Sequence, residues 1–484
     1  MLRRLIENSI ASLAAILLLR LSSMALFIVI ARKLGEEATG MFSLATTYSL
    51  IGTAIAFWGL DQWLITKGSH DPHVAGQYWF NLGWVRLLLS VVTIALFAVL
   101  MNVLQIYAPA TTHLILLMTL TLIPDSLDDI CQAYFIAIEQ MAYITLTSFI
   151  LAIFRVVGIV FILLAQNVTI VTVTWVFLIA NLARSLIGAG LVYRKAAMRF
   201  TLDWKLCGAS LRWAFPFVFI NATVILEARL GTVFISLQAT EREVGLYSAA
   251  MNIVTGLQML PRAFRTSISP LMSRLYVQDK EAFARLYYRS TLYLLMIAFG
   301  IIPIIIIVAP DLMLLLYQAP FISATLSLQL LVISILFRLL NIPSSRLLVL
   351  AGRQSLLAWF MVAGLVGNTL VCLGWMPRMG FTAAAVGELV SMGIYYGLSM
   401  IVAQPYVPIM PLLTQLGRVF LALALGWGIS AALTLTSLSA WLNAGLGFSL
   451  YAGGLWVMRA IPSEDVARVR QWLARRMAFL KRRI

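Results

Sequence analysis

The stretch Glu36-Glu37-Ala38-Thr39-Gly40-Met41-Phe42-Ser43-Leu44-Ala45 returns 205 residues later as Glu241-Arg242-Glu243-Val244-Gly245-Leu246-Tyr247-Ser248-Ala249-Ala250. Acid, glycine, aromatic, serine and alanine keep the same spacing in both copies. Each copy follows a long apolar run that carries an arginine, Arg20 in the first and Arg229 in the second. Such repetition suggests a transporter built from two homologous membrane halves. Helix starts with acids before them and small residues after them also recur by chance, so the repeat is an expectation for the structure to meet.

The 484 residues are 62% hydrophobic and 11% charged, with a mean hydropathy of +0.95. Soluble chains average about 45–50% apolar and about 25% charged. The composition therefore implies an all-α polytopic membrane protein, because unpaired backbone groups cannot face lipid and spans of about 20 apolar residues cross it as helices. Membrane-barrel strands would alternate polar and apolar, and the run from Leu294 to Val308 does not. Apolar runs between polar breaks give about fourteen spans. The first, after Arg3 and Arg4, lacks a small-residue cleavage site and reads as an uncleaved span.

With the N-terminus in the cytoplasm, inside segments collect about 24 Lys and Arg and outside ones about four. The outside ones are Arg32, Lys33, Arg242 and Arg378, while Arg262, Arg265, Arg274, Lys280, Arg285 and Arg289 cluster on one inside segment. Both termini are thus expected in the cytoplasm. The net charge of +16 follows membrane topology and gives no reason to expect nucleic acid. The tail after Pro462 places Val466, Val469, Leu473, Met477 and Leu480 on one face of a basic helix, suited to the cytoplasmic lipid surface. The segment from Leu271 to Arg289 looks like a second interfacial helix.

Cys131, Cys207 and Cys372 lie far apart, and His70, His73 and His113 sit in or beside loops, so neither a disulfide framework nor a metal site is indicated. No cofactor motif is present, and the lack of a G-x-x-x-x-G-K-[ST] loop leaves coupling to an H+ or Na+ gradient or to the membrane potential. Outside loops are short, which argues against a glycan polymerase or transferase.

Arg20, Arg86, Arg155, Arg184, Arg229, Arg338 and Arg418 fall within or near the ends of spans. A cation at mid-span costs about 2.5–3.5 kcal/mol, so such residues face a wet cavity or a partner. Arg20 lies 20 residues before Gly40 and Arg229 lies 16 before Gly245. That offset of one helical turn puts both on nearly the same face in the repeat frame. Two such guanidinium groups would suit a diphosphate. Arg86 and Arg155 are further cavity candidates, although they could instead pair with Asp125, Asp128 or Asp129. Asp61 and Glu388 have no basic neighbour one turn away in sequence and are the candidates for ion coupling. Pro124, Pro216, Pro261, Pro270, Pro303 and Pro343 interrupt candidate helices and are expected as kinks.

The segment Leu26-Phe-Ile-Val-Ile-Ala-Arg-Lys-Leu-Gly-Glu-Glu-Ala-Thr-Gly-Met-Phe-Ser-Leu-Ala resembles the first two helices of the polysaccharide and oligosaccharide-lipid exporters. These belong to the multidrug/oligosaccharidyl-lipid/polysaccharide (MOP) flippase superfamily. Phe215-Pro216, Glu243-Val-Gly-Leu-Tyr-Ser-Ala-Ala250 and Ile268-Ser-Pro-Leu-Met-Ser-Arg274 resemble the opening of its second half, and Gln132 to Tyr143 its fourth-helix exit.

The resemblance implies two six-helix bundles, 1–200 and 201–404, forming a V around a central cavity. Two further helices in 405–460 and the basic tail 461–484 would follow. It also implies a flippase that moves an isoprenoid-diphosphate-linked oligosaccharide from the inner to the outer leaflet of a bacterial inner membrane. Membrane lipids and polysaccharide polymerase or export machinery would be partners. Where many relatives carry an acid and a base in the seventh helix, this chain has Gly231 and Thr232. A cation-coupled multidrug antiporter of the same superfamily is the alternative.

Overall fold

The computed structural model describes residues 2–196, 201–406, 410–433 and 439–460, with side chains from Leu17 onward and none at 410–414 or 433. Among them there is no strand. The helices are α1 (Leu2–Phe57), α2 (Leu60–His70), α3 (Ala75–Leu104), α4 (Pro109–Thr119), α5 (Leu122–Ala137), α6 (Met141–Leu164), α7 (Ile170–Lys195) and α8 (Trp204–Gln238). They continue as α9 (Glu241–Leu257), α10 (Met259–Gln278), α11 (Lys280–Tyr317), α12 (Thr325–Leu350), α13 (Gln354–Met379), α14 (Thr382–Ala403), α15 (Met410–Leu433) and α16 (Ala440–Val457). Among the described residues, nine helical segments are long and apolar enough to cross a membrane. The fold is all-α and polytopic, as composition requires. The expected amphipathic tail at 461–484 lies outside the described residues.

Helix breaks are tighter than apolar runs suggest. α1 contains the first expected span and most of the second, joined through Gly35 at φ 81°, ψ −175°, a backbone region open essentially to glycine. The second expected span, 41–66, is divided at Trp58 and Gly59, both at positive φ. A Cβ on Gly59 would lie 2.5 Å from Phe217 Cβ, so close packing against α8 fixes that break. Pro124 and Pro261 sit in the first turns of α5 and α10, where a missing N–H costs little. The expected interfacial helix between Leu271 and Arg289 is instead divided between two helices. α10 runs to Gln278, and Asp279 alone turns the chain into α11, accepting from the Ala282 N–H at 2.9 Å.

Two compact units emerge, each formed from several chain segments. The first comprises 1–257, 313–327 and 361–391, and the second 258–312, 328–360 and the described residues from Met392 onward. In the first, Leu60, Leu64, Leu82, Ile130, Phe135 and Val192 form a core between α2, α3, α5 and α7. In the second, α15 and α16 pack on α11. Trp427 Nε1 donates to the Phe299 carbonyl at 3.0 Å, and the Tyr451 hydroxyl donates to the Met296 carbonyl at 3.1 Å.

The repeated stretch forms the closest helix contact of the first unit. A Cβ on Gly40 would lie 1.7 Å from the Glu241 carbonyl oxygen, and one on Gly245 would lie 1.9 Å from that of Glu36. The contact is reciprocal, as a two-fold interface requires, and small residues permit it where lipid supplies no hydrophobic drive between helices. Arg242 Nε pairs with Glu36 Oε1 at 2.9 Å across the same seam. Thr240 and Glu243 form a capping box at the start of α9, with bonds of 3.3 and 3.4 Å.

The adjacent cations have structural work at helix ends. Arg32 Nε donates to the Leu316 carbonyl at 2.8 Å and its Nη2 to that of Leu315, at the end of α11. Lys33 Nζ donates to Leu163 at 3.0 Å and Ala165 at 2.6 Å, at the end of α6. Cations there satisfy the last carbonyls and oppose the negative end of the helix dipole.

Candidate anion-binding cavity

Inside the first unit, α1, α6, α7, α8 and α9 enclose a cavity of about 300 Å³. Arg20 reaches it from the first pass of α1, Arg155 from α6 and Arg229 from α8. The second pass of α1 contributes Ser43 and Thr46, and α9 contributes Ser248, Asn252 and Thr255. Ser43 and Ser248 are equivalent positions of the repeat, so the seam that joins its two copies also aims both serines at one space. Three of the four arginines expected in a cavity are therefore brought together, although they lie on three helices far apart in sequence.

Arg155 is held by its surroundings. Arg155 Nη1 donates to Ser23 Oγ at 2.5 Å, and its plane lies over the Phe177 ring, 5.3 Å from the centroid. Its Nε is buried without a hydrogen-bond partner. Arg20 acts electrostatically on both Arg155 and Arg229. Among the described residues neither Arg155 nor Arg229 forms an ion pair. No acid is among the residues that line the cavity, although Asp125 acts electrostatically on Arg155, and an anion bound among the three guanidinium groups would relieve their mutual repulsion. Ser43, Thr46 and Thr255 donate their hydroxyl protons to carbonyls of their own helices, so their oxygens face the cavity as acceptors, and Asn252 adds an amide suited to phosphate or sugar oxygens.

Arg86 does not join them. It is fully buried, with Nη2 3.1 Å from Asp61 Oδ1 and Nη1 bonded to Asp129, and its guanidinium lies over Phe57. Its expected place in the cavity is corrected by this pairing, which neutralises it within the helix packing. The Arg86–Asp61 pair corrects the reading of Asp61, which lacks a basic neighbour one turn away on its own helix but gains one from α3. Asp128 pairs with Arg184 at 3.0 Å. Asp125, Asp128 and Asp129 line a neighbouring cavity of about 290 Å³ that shares Thr46, Leu50 and Phe177 with the arginine cavity. Glu388 is 3% exposed on α14 and does not line the arginine cavity. It acts electrostatically on Tyr247, which in turn interacts with Arg229. At the position where the sequence departs from its relatives, Gly231 leaves room for the Tyr247 hydroxyl, which a Cβ would approach to 2.7 Å, and Thr232 lines the cavity.

Sequence reasoning did not place Phe177 or Asn252 at the site, since nothing local distinguishes them from lipid-facing neighbours. Ser43 and Ser248 carried a usable signal, because both sit inside the repeated stretch.

A family model described as "Polysaccharide biosynthesis protein" matches residues 5–276. The chain belongs to this family. A second model, MatE, matches residues 216–373. A comparison with curated protein sequences finds no match. Among solved structures, the chain is similar to lipid II flippase MurJ in an inward closed conformation. The TM-score is 0.73 at 14% identity, covering 96% of this chain and 100% of that one. An inward-facing multidrug resistance MATE transporter of the MOP superfamily gives 0.64 at 13% identity, covering 80% and 94%. The eukaryotic MATE transporter AtDTX14 gives 0.57 at 14%, covering 93% and 99%. These likenesses show that the chain shares the all-α fold of the lipid II flippase and the MATE transporters.

Proposed function

We propose that this polysaccharide biosynthesis family member flips an isoprenoid-diphosphate-linked oligosaccharide from the inner to the outer leaflet of a bacterial inner membrane. The observation that carries the reading is the convergence of Arg20, Arg155 and Arg229 on one cavity. Guanidinium forks suit the oxygens of a diphosphate, and the similarity to a lipid II flippase fits a lipid-linked cargo. Alternating access would come from rocking of the repeat halves, 1–200 against 201–404, while the isoprenoid tail stays in lipid. The charge asymmetry supports cytoplasmic termini. An H+ or Na+ gradient through Glu388, or the membrane potential acting on the substrate's charge, would supply direction. Polymerase or export machinery would take the product.

The MatE match favours a second reading, a cation-coupled multidrug antiporter, but cationic drugs would be repelled by an arginine-lined cavity. The test is glycan export in cells. Arg20→Gln or Arg229→Gln is expected to abolish export at normal membrane levels, with Lys restoring it only in part because it keeps the charge without the planar fork. Full export by the double Gln variant overturns the reading, and gain of drug sensitivity on deletion would favour the antiporter.

A further inference from the structure

A second basic feature lies in the other unit. α10 carries Arg262, Arg265 and Arg274 and no acid in 20 residues, and it is not among the helices apolar enough to span the membrane. Arg262, Arg265, Thr266, Ser269 and Ser273 fall at i, i+3, i+4, i+7 and i+11, one face of the helix. That row runs about 16 Å from Arg262 to Ser273. At its far end Arg346, from α12, donates through Nη2 to Ser273 Oγ at 2.5 Å, while its Nε is shut away from solvent without a partner. Arg262 and Arg265 are exposed. None of these arginines forms an ion pair among the described residues.

The structure assigns this row, Arg262, Arg265 and Arg346 with the hydroxyls between them, as a binding site for the headgroup of an anionic phospholipid from the cytoplasmic leaflet. Charge complementarity identifies the occupant. Arginines without acids, set among hydroxyls, present paired donors to phosphate oxygens. The positive-inside distribution puts this end of α10 on the cytoplasmic side, where anionic lipids attract basic segments. The row is open to its surroundings rather than enclosed, as suits a resident lipid rather than a carried cargo.

The test uses the purified full-length protein in detergent micelles doped with phosphatidylglycerol, phosphatidylcholine or a polyisoprenyl diphosphate, with bound lipid counted by native mass spectrometry. Arg262→Gln/Arg265→Gln and, separately, Arg346→Gln are expected to lower retained phosphatidylglycerol by about fivefold per arginine. Phosphatidylcholine binding and the melting temperature should be unchanged. Wild-type retention of phosphatidylglycerol in both variants overturns the site, as does equal loss of phosphatidylcholine. Selective loss of the polyisoprenyl diphosphate also overturns it, assigning the row to the transport path instead. None of these outcomes depends on the arginine cavity of the other unit.

Discussion

Arg86 and Arg155 carry the same guanidinium in the membrane, and their surroundings give them opposite roles. Arg86 is enclosed by two carboxylates 25 and 43 residues away in sequence, so removing it strands two acids. Arg86→Gln is expected to cost about 3–5 kcal/mol, read as a fall in folded protein and melting temperature, and Asp61→Asn should act in the same direction. Arg155→Gln should leave the melting temperature near wild type and reduce transport; an unfolded variant would contradict its assignment to the cavity. Glu388→Gln is expected to reduce transport and change its pH or sodium dependence, measured in proteoliposomes under imposed gradients. Unchanged gradient dependence would leave the membrane potential as the drive. Arg20 and Arg229 were legible in the sequence because the repeat supplied a common frame. The role of Arg86 was not, since its partners come from helices that only the fold brings near.

At the level of elements, the repeated stretch was the most informative part of the chain, and the structure explains its glycines. Each would put a methyl group inside the partner copy's backbone. Gly40→Ala and Gly245→Ala are therefore each expected to cost at least about 1–3 kcal/mol. Because they act on one contact, the double variant should lose less than the sum. Additive losses in thermal unfolding would mean that the two glycines do not share a seam. Helix breaks were less legible. Gly35 and Gly59 look like any other glycine in an apolar chain, and their left-handed backbone follows from how neighbouring helices pack. The segment from Leu271 to Arg289 has the amphipathic pattern of a surface helix, and only the turn at Asp279 shows that it belongs to two.

For the whole molecule, composition alone gave an all-α membrane protein, and charge asymmetry gave an orientation open to test. Cysteines placed at Glu37, Thr240 and Gln318 should react with an impermeant thiol reagent from outside, and those at Ser69 and Gln278 should not. Outside labelling at Gln278 would reverse the orientation. The convergence of arginines from α1, α6 and α8 could not be read from any one segment, because it depends on the two repeats meeting at their glycines. The most direct measurement is the flipping of a fluorescent polyisoprenyl-diphosphate oligosaccharide in proteoliposomes, comparing wild type with the folded Arg20→Gln/Arg155→Gln/Arg229→Gln variant. Rapid flipping by the wild type and a background rate for the triple variant is the expected result, and equal rates for the two proteins would contradict it.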